Sequence, residues 1–319
     1  MLTARSDLED YVEASNAQRG VAYVCRGCRQ LVIFKSGRVR CPHFAHHPGS
    51  ACAHGAQMSP EHLAAQVLLA KALRDRGVTV QLEAHMASLA GDRRIDVLAS
   101  PEGRPDVRIA IEVQMSDLTI AAIDARTQSY QAEHVAPLWL RLYDFSKWID
   151  AQRLRDRGTM WIEKHYARAW ERWAYDHLGQ FLWFMDSKTL RLWRGTFVNA
   201  HSYLESSTWY DSSGDEQSAG GYFKEITQWV ELELQGPYRA SDLLLHRGRM
   251  RGADGRQRLA AWFLAPGETR PPDGPQVRAT IQLDPVHAYP YRKLEVKVDG
   301  AWRRAKTEDA PANWRQIDG

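Results

Sequence analysis

The sequence predicts an α/β protein with an unlike region on each side, and three observations carry that reading. All four cysteines fall within residues 25–52. Residues 59–145 alternate helical and strand-like apolar patterns, and nearly all of the twelve tryptophans lie beyond residue 145. The 319 residues therefore divide into a Cys/His module over residues 1–58, an α/β core over 59–145 and a Trp-rich α+β region over 146–319. At about 150 residues per domain, that length suits more than one domain.

In QLVIFKSGRVR (30–40), LVIF and RVR read as two strands turning at Ser36-Gly37. Ser59-Pro60-Glu61 is a helix start, with a Ser cap, Pro at the first helical position and an acid in the first turn. Leu63, Val67 and Ala70 supply the apolar stripe, and Gly77 is placed to end the helix. VTVQLEAHM (78–86), RRIDVLAS (93–100) and VRIAIEVQ (107–114) read as strands. A second helix over about 119–134 leads to the apolar strand PLWLRLYD (137–144). Beyond it the pattern predicts a helical stretch near 151–178. FLWFMDSKTLRLWRGTFV (181–198) then reads as a hairpin turning at Asp186-Ser187-Lys188. SSGDEQSAGG (212–221) and GETRPPDGPQ (267–276) read as loops.

Composition narrows the function. Hydrophobic residues at 44% and charged residues at 25% argue against a disordered or fibrous chain. The longest helical candidate near the start carries Gln66 and Lys71, so no membrane span is expected. Residues 1–20 lack an uninterrupted apolar stretch, so no secretory leader is expected and the cytoplasm is the expected location. Lys and Arg number 42 against 39 Asp and Glu, a net charge of +3. Splitting the chain at residue 150 leaves neither half strongly basic, so any polyanion must be held by a local patch.

Cys25-x2-Cys28 is a metal knuckle, and CPHFAHHPGSAC (41–52) follows it. In a reducing compartment such a cluster is expected to bind structural Zn²⁺ rather than to form disulfides. A tetrahedral zinc needs a second ligand pair from another loop. His43 with His46, or His46 with Cys52, can each supply it, and Cys41 is a spare candidate. No acidic general base sits inside the cluster.

Strict strand alternation places Glu83, Asp96, Glu112 and Gln114 on the faces opposite the apolar residues. If the three strands are neighbours, these side chains converge. Converging carboxylates repel unless a cation neutralises them, and hard oxygen donors suit Mg²⁺ or Mn²⁺. Pairing of the acids with Arg93, Arg94 or Arg108 on a solvated sheet face is the competing reading.

The string C-x2-C, HFAH, Cys52, Glu61-His62, RRIDVL, IEVQ-x-S and Arg126-x3-Tyr130 resembles the competence protein CoiA-like family. That family is regarded as part of the PD-(D/E)XK nuclease superfamily, with an added zinc-ribbon-like segment. The resemblance covers roughly residues 20–145. It implies a restriction-endonuclease-like α-β-β-β-α-β core, matching the element order above. It also implies a Mg²⁺- or Mn²⁺-dependent nuclease acting on DNA in uptake, processing or defence, with Asp96 and Glu112 as metal-binding acids. Gln114 stands where the superfamily usually has lysine. Glu61 resembles the accessory acid, though a favourable helix N-terminal charge explains it equally well. Glu83 completes the candidate catalytic set, His62 reads as a cap or packing residue, and Arg94, Arg126 and Tyr130 are candidate substrate-binding residues.

Trp161, Trp170, Trp173, Trp183, Trp193 and Trp209 can stack on bases, but their spacing suits core positions better. A non-catalytic nucleic-acid-binding adaptor with a degenerate core is the alternative function. A partner protein or a second copy of the chain can act through residues 146–319.

Overall fold

The computed structural model describes the chain except residues 53–57, 89–92, 149–150, 155–158, 205–206, 270–276, 284–289, 299–300 and 305–319. Numbered in chain order, the helices are α1 (Pro60–Arg74), α2 (Ile120–Ala132) and α3 (Ala169–His177). The main strands are β1 (Val78–Met86), β2 (Arg93–Pro101), β3 (Arg108–Gln114), β4 (Val135–Tyr143), β5 (Ala151–Leu154), β6 (Thr159–His165), β7 (Leu182–Asp186), β8 (Leu192–Leu204) and β9 (Tyr222–Tyr238). They form one nine-stranded mixed sheet in the order β5-β6-β9-β8-β7-β4-β3-β2-β1. The architecture is thus mixed α/β, with a large mixed sheet and few helices.

The helix–three-strand–helix–strand order of residues 59–145 is present as expected. Ser59 caps α1 by accepting the His62 N–H at 3.2 Å, Pro60 opens it, and Gly77 at φ +75° turns the chain into β1. Leu63, Leu69 and Leu73 of α1 bury against Val80, Val97, Ile109 and Ile111 of the sheet. Each such side chain contributes about 1.5–3 kcal/mol. Thr119 caps α2 through the Ala122 N–H at 3.1 Å. β4 lies between two parallel neighbours, β3 and β7, and is buried from Val135 to Leu142. That explains its nearly unbroken apolar sequence.

The sheet does not stop at residue 145. β7 pairs in register with β4 from Trp183↔Leu140 to Asp186↔Tyr143, and Phe181, Trp183 and Met185 join the α1 core. The β7–β8 hairpin forms as expected, with a longer turn: Asp186 accepts the backbone N–H groups of Lys188 and Thr189. Trp161, Trp170, Trp173, Trp183 and Trp193 are buried, whereas Trp209 is 48% exposed.

Three expectations need correction. The strand Leu31–Lys35 pairs with His43–His46 rather than with Arg38–Arg40. Phe44 of that partner is buried against Tyr23 and Phe34, while Arg38, Val39 and Arg40 are exposed and offer the core nothing. The stretch 151–178 is helical only in α3; β5 and β6 precede it. Thr159 through Ile162 are all buried, so both faces of β6 read as apolar and the period is ambiguous. Within 212–221, Glu216–Ala219 forms an exposed hairpin with Ser207–Tyr210. In the 267–276 loop, residues 270–276 lie outside the described residues. No described helix is long and apolar enough to cross a membrane.

Candidate functional site

The carboxylates meet where β2 and β3 part. Their bridges run only from Val97↔Ile111 to Ala99↔Ile109. Beyond that point the Asp96 carboxylate accepts the Val113 N–H at 2.9 Å, so a side chain replaces a ladder bond. The strands open there into a cleft of ≈530 Å³ lined by Asp96, Glu112, Gln114, His62, Arg94 and Arg126 among others.

Asp96 is held from α1. Gln66 donates to its Oδ1 at 2.8 Å, and His62 Nε2 lies 3.1 Å from Oδ2. Burial works against a charged His62, but the Asp96 carboxylate outweighs it and holds the imidazole pKa above its ordinary value. Glu112 is held from α2: Tyr130 donates its hydroxyl proton to Oε1, and Arg126 lies 3.7 Å from Oε2. Glu112 is only 3% exposed. Burial, and then the neighbouring Asp96, push its pKa up to about 8. The cleft therefore holds two buried acids side by side, and the Asp96 charge works against ionisation of Glu112.

The segment after β3 forms the wall of the cleft and is pinned from beyond residue 140. Gln114 donates to the Ser116 carbonyl at 2.8 Å and to its Oγ at 3.1 Å. Arg141, opposite Gln114 on β4, donates to the Met115 carbonyl at 2.5 Å, and Arg168 does so at 3.1 Å. Arg141 is itself fixed by Glu171 at 2.8 Å. Glu171 also lies 2.9 Å from His165.

A second site lies in the N-terminal module. Cys25, Cys28, His46 and Cys52 bring their ligand atoms within 4.8 Å of one another. Cys25 and Cys52 sulfurs are 3.9 Å apart, and Cys28 Sγ is 3.3 Å from His46 Nε2. A tetrahedron with zinc–sulfur bonds of about 2.3 Å has edges of about 3.8 Å, so the donor set and its spacing fit zinc. His43 is not in the group: its Nδ1 pairs with the Cys41 carbonyl at 2.9 Å. Cys41 is not in it either.

Comparison with known proteins bears on both sites. Residues 7–55 match the competence protein CoiA N-terminal domain, and residues 59–209 match the CoiA nuclease-like domain. The chain belongs to the CoiA-like family. No curated protein matches it. A crystal structure titled as a protein of unknown function, AF1548, is similar at 13% identity. That likeness covers 25% of this chain and 46% of the other, with a TM-score of 0.20, too low to bear on the fold.

In this CoiA-like chain, Asp96, Glu112, Gln114, Arg94, Arg126 and Tyr130 gather at one cleft, but Glu83 and Glu61 do not line it. Strict alternation fails at Glu83, which has φ +46°. Val80 and Leu82 pack with Val97 in the α1 core, whereas Ala84 and Met86 pack with Ile95 around Tyr130. The strand changes face at that residue, and Glu83 turns to accept the Thr3 N–H and hydroxyl at 3.0 and 2.8 Å. The Glu61 carboxyl is held below its ordinary pKa by backbone and Ser59 hydrogen bonds at the start of α1. His62 reaches Asp96 rather than capping. Gln66, fully buried, escaped the sequence reading; a polar residue four positions from His62 was its signal.

Proposed function

We propose that this CoiA-like protein is a metal-dependent nuclease that hydrolyses DNA phosphodiester bonds in uptake, processing or defence against foreign DNA. The observation that carries this reading is the buried Asp96–Glu112 pair at the open end of β2 and β3. Two adjacent acids, one with its pKa pushed up to about 8, fit a divalent cation whose charge would favour the ionised form of Glu112. Mg²⁺ or Mn²⁺ held by Asp96 and Glu112 would polarise the phosphate and activate water. Gln66, His62 and the Val113 N–H orient Asp96, while Tyr130 and Arg126 orient Glu112. Arg94 and Arg126 offer cations to a phosphate. The Gln114 amide holds the cleft wall rather than supplying the charge that a lysine would. Structural zinc on Cys25, Cys28, His46 and Cys52 would tie the knuckle to the strand His43–His46.

The test is incubation of purified protein with single- and double-stranded DNA, with Mn²⁺ and with EDTA. Cleavage with Mn²⁺ and none with EDTA is expected. One observation favours the adaptor reading: both Asp96 oxygens already accept protein hydrogen bonds. DNA binding without cleavage in Mn²⁺ would decide for it.

A further inference from the structure

Residues 14–60 contain six Lys and Arg and not one Asp or Glu, so the rest of this +3 chain is net negative. Over the whole module, residues 1–58, Asp7, Glu9, Asp10 and Glu13 reduce the excess to +3, against zero for the remainder of the chain. Its cations are also placed for contact. Lys35, Arg38 and Arg40 are exposed on the segment between the strands Leu31–Lys35 and His43–His46. Arg19, also exposed, is drawn to the same segment by its hydrogen bond to the Ser36 carbonyl at 3.0 Å. With His43, these four line an open groove of ≈500 Å³.

Several arginines elsewhere are matched: Arg74, Arg126, Arg141, Arg168, Arg194 and Arg258 each pair with a carboxylate, while exposed Arg249 and Arg251 are not among them. Among the described residues, no carboxylate makes an ion pair with Arg19, Lys35, Arg38 or Arg40, and the Arg40 charge reaches only Glu61, whose pKa it helps to lower. Arg26 is turned inward instead, onto the Glu83 carbonyl and the Tyr11 ring. The groove also leads towards the cleft. Arg40 and Met58 line one neighbouring pocket, and Met58 continues into the wall around Asp96 and Glu112.

We propose that the groove of Arg19, Lys35, Arg38 and Arg40 is the electrostatic grip on a nucleic-acid backbone. It would hold phosphates outside the cleft and feed the strand past Met58 to the carboxylates. Taking nucleic acid as the polyanion rests on the nuclease reading. A membrane surface fits less well, because the patch offers Val39, 96% exposed, and little other apolar side chain to insert. Each phosphate neutralised releases counterions, contributing about −0.9 to the slope of log K against log salt for duplex and about −0.7 for single strands.

The test measures binding of a fluorescent oligonucleotide by full-length Asp96→Asn protein without divalent metal, across a salt series. Because no cleavage is read, the result is independent of whether the wild-type chain cuts. The combined change Lys35→Gln, Arg38→Gln and Arg40→Gln should lower the slope magnitude by about 2–3 and weaken binding at low salt more than about tenfold. Arg38→Lys with Arg40→Lys should retain the slope, and zinc content should be unchanged in both. An unchanged slope and affinity in the Gln variant would overturn the proposal. So would loss of binding to phosphatidylserine vesicles with oligonucleotide binding intact, which would reassign the groove to a membrane.

Discussion

Asp96 and Glu112 show how much of a site is decided by what holds the reactive group. Each carboxylate is fixed by a different helix, so removing one acid leaves the other's supports untouched. Asp96→Asn or Glu112→Gln should therefore abolish metal-dependent cleavage, by several orders of magnitude, while thermal unfolding stays cooperative. Wild-type cleavage rates in either variant would remove the pair from the chemistry. Gln114 tests the wall. Because its amide anchors Ser116, Gln114→Ala should slow cleavage roughly ten- to a thousandfold. Gln114→Lys projects a cation from the same position and should keep activity; wild-type rates in both would make Gln114 a bystander.

At the scale of elements, the metal module separates ligands from bystanders. Cys25→Ser and Cys52→Ser should each release zinc and unfold the module, since structural zinc contributes folding energy directly. Cys41→Ser and His43→Ala should keep one zinc per chain by metal analysis. The sequence alone could not choose among these residues, because the choice depends on which strand pairs with Leu31–Lys35. The start of α1 was legible, since Ser59, Pro60 and Gly77 act locally. Convergence of Asp96 with Glu112 was legible too, but the fate of Glu83 was not. Alternation assumes a strand keeps its faces, and one left-handed residue breaks that assumption.

β9 carries a second testable feature. Burial pushes Glu233 up to about 7, and the described charges around it are Arg194, tied to Glu268 and Gln235, and Glu231 on the same strand. From its ordinary value of 4.5 up to about 7, the unfolded chain loses a proton that the folded chain keeps. The Glu233 contribution should fall across that window, by at most about 1.4 kcal/mol per pH unit, and level off above it, while Glu112, pushed up to about 8, adds a fall of the same sign in wild type and variant alike. Urea midpoints between pH 5 and 7.5 should show the fall in wild type and a shallower one in Glu233→Gln.

Over the whole molecule, the cleft depends on residues far beyond it. Arg141 and Arg168 pin Met115, and Phe181, Trp183 and Met185 complete the core that α1 covers. A chain ending at residue 145 should lose cooperative unfolding and solubility, because β4 would expose its apolar edge to solvent. A soluble, cooperatively unfolding 1–145 fragment would instead show that the first four sheet strands suffice. The same strand order has a consequence for the protein as it is made. β4 emerges from the ribosome 38 residues ahead of β7, and those residues, 144–181, correspond to roughly 2–8 s of synthesis at 5–20 residues per second. Throughout that interval the nascent chain carries both acids of its cleft beside an unpaired parallel edge. Chaperone occupancy on the ribosome should therefore peak between the emergence of β4 and that of β7, and fall once Leu182–Asp186 has docked.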